Sequence, residues 1–318
     1  MIKNANFSVR QLRHALDEIG VSYSVVNPLE LDGLAFTSLF APRHKGIYFL
    51  EGGLLSAAGM DDSVFITSRA IEARNACQFI VDDPQVTYYR VMQRFFAETD
   101  VPVGIHPSAI VSAQAEISPQ AWIGPFCVIG AARIESGVCL VSHVVVHDNC
   151  VIEADVRIES HSTIGATGVA WAWDVHTGER VVQPQIGGAQ IGRGCFIGTD
   201  VTVVRGSINE VTRLGDNCMV AHGTKIGHGS IVGRNVHFAN NVSLAGNVHV
   251  ADRAFLGSAC VLRPKVRIAE DVVVGAGAVV TSDIDEPYAV VAGVPAKKIA
   301  SKERHAGVPK KLSIQGDK

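Results

Sequence analysis

Four histidines fall within the stretch "VAHGTKIGHGSIVGRNVHFANNVSLAGNVHV": His222, His228, His237 and His249. Imidazole changes charge nearest neutrality, so it can take a proton from a nucleophile, pass it on, or bind a metal. The neighbouring residue types narrow the choice. Glu210 offers a carboxylate that could orient a ring, and Gly246 offers a backbone N–H that no side chain obstructs. A base, open space and a donor for a developing oxyanion are the parts that acyl transfer needs. Three histidines shared between subunits would instead make a zinc site. No carboxylate-and-histidine cluster falls on one face here, and no metal is expected.

Which ring acts depends on the elements that position it. From Leu214 onward every sixth residue is large and apolar: Val220, Ile226, Val232, Phe238, Leu244, Val250, Leu256, Leu262, Ile268, Val274, Val280. A second series runs from Ile105 to Ile129, slips by one residue, and resumes from Ile134 to Ile164. A third holds Ile191, Ile197 and Val203, with another slip to Ile208. An amphipathic α-helix repeats at three and four, not strictly at six; this period is that of a parallel β-helix. Cys127, Cys150, Cys195, Cys218 and Cys260 each lie four residues after an apolar position and read as inward packing residues.

In this frame His228 stands two places after Ile226. Glu210 stands two places after Ile208, one coil earlier, and Gly246 one coil later. The expected column is therefore Glu210, His228, Gly246, with Glu210 as a possible orienter of the ring. His222 holds the same place in the preceding unit and points from a different face, where it could line a substrate cleft. His237 and His249 read as corner residues with no chemical role.

Residues 1–102 lack the repeat. Ser8 and Gln11 have capping-box spacing ahead of the stripe Val9, Leu12, Leu16, Ile19, and Gly20 stops that helix. Asp83 and Pro84 open a second helix, and "SVFITS" and "CQFIVDD" read as strands, giving a small α/β domain suited to nucleotide or substrate recognition. Residues 103–285 are the β-helix. Residues 168–185 break it as a loop excursion, with Trp171 and Trp173 as a candidate substrate wall. Pro287, Gly293 and Pro295 are expected to end the solenoid, leaving 286–318 as a cap and basic tail.

The chain of 318 residues carries a net charge of -3, which gives no argument for a nucleic-acid partner or an anionic membrane. No apolar run reaches the ~18 residues of a membrane span. The start "MIKNANFSVR" lacks a signal-peptide core, so the expectation is cytoplasmic. The seven cysteines are scattered singly without a CxxC pair, as reduced structural thiols are.

The stretch "IGHGSIVGRNVHFANNVSLAGNVHV" resembles the core of the UDP-N-acetylglucosamine O-acyltransferases that begin lipid A synthesis. "CQFIVDDPQVTYYRVMQRF", "IHPSAIVSAQAEI", "QPQIGGAQIGRGCFIG" and "VRGSINEV" extend a resemblance to the UDP-3-O-acylglucosamine N-acyltransferase family over nearly the whole chain. That resemblance implies a left-handed parallel β-helix (hexapeptide repeat) and a homotrimer with clefts between subunits. It implies His228 as general base and the Gly246 N–H as oxyanion donor. The implied reaction is direct transfer from an acyl carrier protein thioester to the amine of a nucleotide-linked glucosamine, with no permanently bound cofactor. Phe49 and Asn240 join His222 and the tryptophans as acceptor-side candidates, and Gly257 and Ala276 are donor-side candidates. The ending "VVAGVPAKKIASKERHAG", after "VVGAGAVVTSDI", instead resembles CoA-dependent acetyltransferases, in which a basic residue near the end lines the CoA groove. Lys297 and Lys298 are then candidates, and a CoA-dependent N-acetyltransferase of a nucleotide amino sugar is the alternative. A non-catalytic trimeric scaffold is the reading from another class.

Overall fold

A computed structural model of the protein describes residues 6–50, 59–96 and 102–301. The chain divides into two compact units, Met1–Asp100 and Val101–Lys318.

The first unit is built on five strands: β1 (Ser24–Val26), β2 (Ala35–Phe36), β3 (Gly46–Leu50), β4 (Val64–Thr67) and β5 (Cys77–Ile80). They are ordered β1-β5-β4-β3-β2, parallel except for β1. Helix α1 (Val9–Glu18) starts at Ser8, where the Ser8–Gln11 capping box is complete, and Gly20 at φ +69° turns the chain out of it. Helix α2 (Pro84–Phe96) starts at Asp83, whose Oδ1 accepts from the Val86 N–H at 3.0 Å. Leu12 and Leu16 of α1, Ile47, Ile66 and Phe79 of the sheet, and Val91 of α2 share one buried core.

In the second unit, short strands wind through three parallel sheets, each coil giving one strand to each. The first sheet begins at Gly104–Ile105, the second at Ile110–Val111 and the third at Glu116–Ile117. Inward residues stack in register: Ile197, Val220, Phe238, Leu256 and Val274 pair in turn up the first sheet. One coil buries little by itself, and stacking at about 4.8 Å buries each inward side chain between two others. Many of the corners carry a residue in the left-handed region, and Asn or Gly supplies several: Asn217, Gly223, Gly229, Asn235, Asn241 and Asn247. The five inward cysteines are all buried.

The structure corrects several expectations. Ile208 is not a core position: it is 52% exposed and lies outside any strand. Eleven residues separate Val203 from Leu214, where six separate Ile226 from Val232. Eleven reads as five plus six, but the chain uses residues 205–210 as a connecting loop before the strand Val211–Leu214. His237 and His249 lie within strands, His237–Phe238 and His249–Val250, facing outward ahead of a buried residue rather than at corners.

The excursion is not a bare loop. Trp171–Trp173 and Arg180–Val182 pair as an antiparallel hairpin. Nor does Pro287 end the stack: Ala289–Ala292 adds to the first sheet parallel to Val273–Val274, and Lys297–Ser301 folds back antiparallel on it. Pro287 precedes that strand and so costs it no ladder bond. Residues 302–318 of the expected basic tail lie outside the described residues.

Candidate active site

In the second sheet, Val203 pairs with Ile226 and Ile226 with Leu244. Two residues beyond each, at the corner leading to the third sheet, stand Arg205, His228 and Gly246. Gly246 is thus above His228 as expected, but Arg205 lies beneath it and Glu210 is not in the column. The miscounted Ile208 accounts for the displaced carboxylate.

Gly246 and His228 touch. A Cβ added at Gly246 would collide with the imidazole Nε2 and stand 2.7 Å from Cε1, so glycine alone lets the ring lie against the chain. On either side, the Ala245 N–H donates to Leu262 O (3.1 Å) and the Asn247 N–H to His228 O (2.7 Å). Among the described residues the Gly246 N–H has no acceptor. An unused backbone donor therefore sits beside Nε2. The corner is pinned from below: the Gly229 N–H, at φ +64°, donates to the buried Thr212 Oγ1 at 2.9 Å.

The other ring nitrogen of His228, Nδ1, is buried and has no hydrogen-bond partner among the described residues. Glu210 Oε2 accepts from the Ser207 N–H at 3.0 Å and passes 3.4 Å from where a Cβ on Gly229 would stand. Its carboxylate is therefore beside the residue that follows His228, and no bond joins it to the ring.

Arg205 is the residue that sequence reasoning missed. Its Nε donates to Gly165 O at 2.9 Å and its Nη2 to Asp148 O at 3.4 Å. No carboxylate among the described residues pairs with it. Burial, and secondarily the Arg205 charge, hold the nearby His147 below its ordinary pKa. Counting from Val203 rather than Ile208 would have placed Arg205 under His228.

His222 occupies the corner between the first and second sheets, and its Nδ1 accepts from the Thr199 N–H at 2.9 Å. When the ring is neutral, its proton is therefore on Nε2. The first-sheet register puts Asn240 and Ala276 at the same corner position as His222. Gly257 precedes that position by one, where a Cβ would stand 2.6 Å from Ala276 N. Within one chain the structure therefore separates the candidates onto two corners flanking the second sheet.

Trp171 and Trp173 pack edge to face at 5.5 Å, each half exposed, on the hairpin. The excursion and the 205–210 loop brace each other: Ser207 Oγ donates to Gln183 Oε1 at 3.3 Å, and the Ile186 N–H to Ser207 O at 3.0 Å. Lys298 is already engaged, with Nζ 2.6 Å from Glu286 Oε1, so its ammonium is not a free donor-side cation. Lys297 is exposed beside it. Phe49 belongs to the first unit, where it packs on Tyr88 at 5.1 Å and lines a cavity of about 350 Å³ with Phe36, Phe40 and Met92.

Known proteins share this architecture. The family described as bacterial transferase hexapeptide (six repeats) matches residues 212–246, the stretch that holds His228 and Gly246. The UDP-3-O-acylglucosamine N-acyltransferase of Pseudomonas entomophila is 28% identical over 56% of this chain and 55% of its own. That of Bordetella bronchiseptica is 27% identical over 86% of this chain and 87% of its own. The chain spans about half the length of the Pseudomonas relatives it matches. Among solved structures, the UDP-N-acetylglucosamine acyltransferase of Francisella novicida is 30% identical, covering 62% of this chain and 70% of that one with a TM-score of 0.57. The fold is their left-handed parallel β-helix.

Proposed function

We propose that this chain, which belongs to the hexapeptide-repeat acyltransferases, moves an acyl group from a carrier-protein thioester to the amine of a nucleotide-linked glucosamine. Its curated relatives are named for N-acylation of UDP-3-O-acylglucosamine. One observation carries the reading: the unused Gly246 N–H stands against His228 Nε2, so a base and an oxyanion donor converge on one point.

The sugar amine attacks the thioester carbonyl while His228 Nε2 takes its proton. The Gly246 N–H stabilises the oxygen that becomes negative. As the C–S bond breaks and the amide forms, the departing thiolate regains the proton from His228, restoring the base. No group needs to be permanently bound. A positioned base contributes about 10²–10⁴-fold and one oxyanion donor about 10²–10³-fold. For Nε2 to be basic, the proton of the neutral ring must lie on Nδ1, which needs an acceptor. Glu210, beside Gly229, is the proposed one.

The separation of candidates onto two corners fits a homotrimer in which one subunit's His228 corner faces a neighbour's His222, Asn240 and Ala276. Gly257 and Ala276 would border the acyl donor. Trp171 and Trp173 would wall the acceptor, and Phe49 would contact the nucleobase in the aromatic cavity of the first unit. Both proposed substrates belong to the cytoplasm, and no helix among the described residues is long and apolar enough to cross a membrane.

The test is transfer followed by mass spectrometry. Purified protein and its His228→Ala variant are offered UDP-3-O-acylglucosamine with 3-hydroxyacyl carrier protein or acetyl-CoA. A long-chain amide from the carrier protein, lost in the variant, is the expected result. Acetylation from CoA alone would make the protein a CoA-dependent N-acetyltransferase, and transfer indifferent to His228→Ala would remove the mechanism.

A further inference from the structure

Arg205 takes no part in the chemistry above, yet it lies one coil, about 4.8 Å, beneath His228 in the same column. We infer that Arg205 is the anchor of an anion subsite that holds the acceptor's diphosphate, an inference resting on the nucleotide-sugar acceptor proposed above. Its guanidinium is fixed by two neutral acceptors, Gly165 O and Asp148 O, so its charge is uncompensated by any carboxylate among the described residues. A guanidinium has five N–H donors and these bonds use two. Gly165, at φ +80°, has no side chain to cover it; a Cβ there would come within 3.8 Å of Nη2. His147, kept neutral at neutral pH by burial and by Arg205 itself, adds no competing charge.

Substrate chemistry supplies the other half. In a nucleotide-linked glucosamine the diphosphate is on the anomeric carbon and the amine on the adjacent one. If the amine is at His228 Nε2, the phosphate nearest the sugar lies one bond's reach away, on the scale of one coil. A fixed, unpaired guanidinium at that spacing matches a phosphate's paired oxygens. Gly165 and Asp148 sit where the chain leaves the ladder for the excursion, so Arg205 also satisfies freed carbonyls. That duty occupies only part of its donor set.

The test is calorimetric binding of UDP, uridine and inorganic pyrophosphate to the full-length protein and its Arg205→Gln and Arg205→Lys variants, with melting curves beside each. The expected result is about a tenfold to hundredfold loss of UDP affinity in Arg205→Gln, as fits a charge-assisted bond. Arg205→Lys should fall between, and uridine should be unaffected. In the transfer assay the loss should appear in KM, not kcat. Should Arg205→Gln fail to fold, phenylglyoxal labelling of the wild-type protein decides: UDP must protect Arg205 from modification. Unchanged UDP affinity in a folded Arg205→Gln, no protection, or no UDP or pyrophosphate binding by the wild type overturns the subsite. Arg205-dependent UDP binding without acyl transfer to any acceptor would sink the enzymatic reading and leave the subsite standing.

Discussion

His228 and Gly246 constrain each other, because the ring fills the space a side chain at 246 would need. Gly246→Ala should therefore displace the imidazole and misdirect the N–H, lowering kcat by at least about 10²-fold, as loss of an oxyanion donor does. The mass-spectrometric assay, with a melting curve to confirm folding, reads this. Glu210→Gln should cost less than His228→Ala, since it removes an acceptor and not the base. His147 makes a different kind of prediction. Its pKa is lowered in the folded chain, so below about 6.5 the unfolded chain binds the proton that the folded one refuses. Stability should fall as pH drops from 7 to 5, and His147→Gln should flatten that slope in thermal melts. The His228–Gly246 pair was legible in the sequence because they are eighteen residues apart with no insertion between them, three whole units. Arg205 was not, because the irregular count that displaces it comes from a loop whose length no periodicity announces.

At the scale of elements, each coil is held by its inward residue and its corner. Leu244→Ala should cost about 2–5 kcal/mol in urea unfolding, since the stack above and below cannot close over the cavity. At the corner between the third and first sheets, Arg253 Nη2 lies 2.7 Å from Asp271 Oδ2 and 2.6 Å from Glu270 Oε2, with the Asp271 side chain only 8% exposed. Arg253→Met would leave that carboxylate buried and unpaired, at a cost of about 1–3 kcal/mol. The strands, the capping box of α1 and the inward cysteines followed from spacing alone. The hairpin Trp171–Arg180 and the final antiparallel strand did not, because neither carries the six-residue period that marked everything else. Their pairing is set by contact with a stack already formed.

For the whole solenoid, the outward faces differ. The first sheet turns Trp122, Phe196, Met219, Phe255 and Val273 outward; the third turns out Glu116, Arg133, Gln190, Arg213 and Arg267. A run of apolar side chains on one face and charge on another is the asymmetry a cyclic assembly requires. Met219→Asp should convert the proposed trimer to monomer in size-exclusion chromatography with light scattering, and transfer activity should vanish with it. Unchanged mass would move the interface elsewhere.

The two departures from the ladder, 168–185 and 205–210, open at the same corner and leave the strands of the other two corners in unbroken succession. Closing a loop twice as long costs only about 0.6 kcal/mol more. Length can therefore change at that corner at almost no expense to the stack, while a single residue gained or lost at the other two would shift every inward side chain that follows. Descendants of this chain are free to acquire new acceptors by lengthening one corner, with the base and its glycine held in place by coils that take no notice.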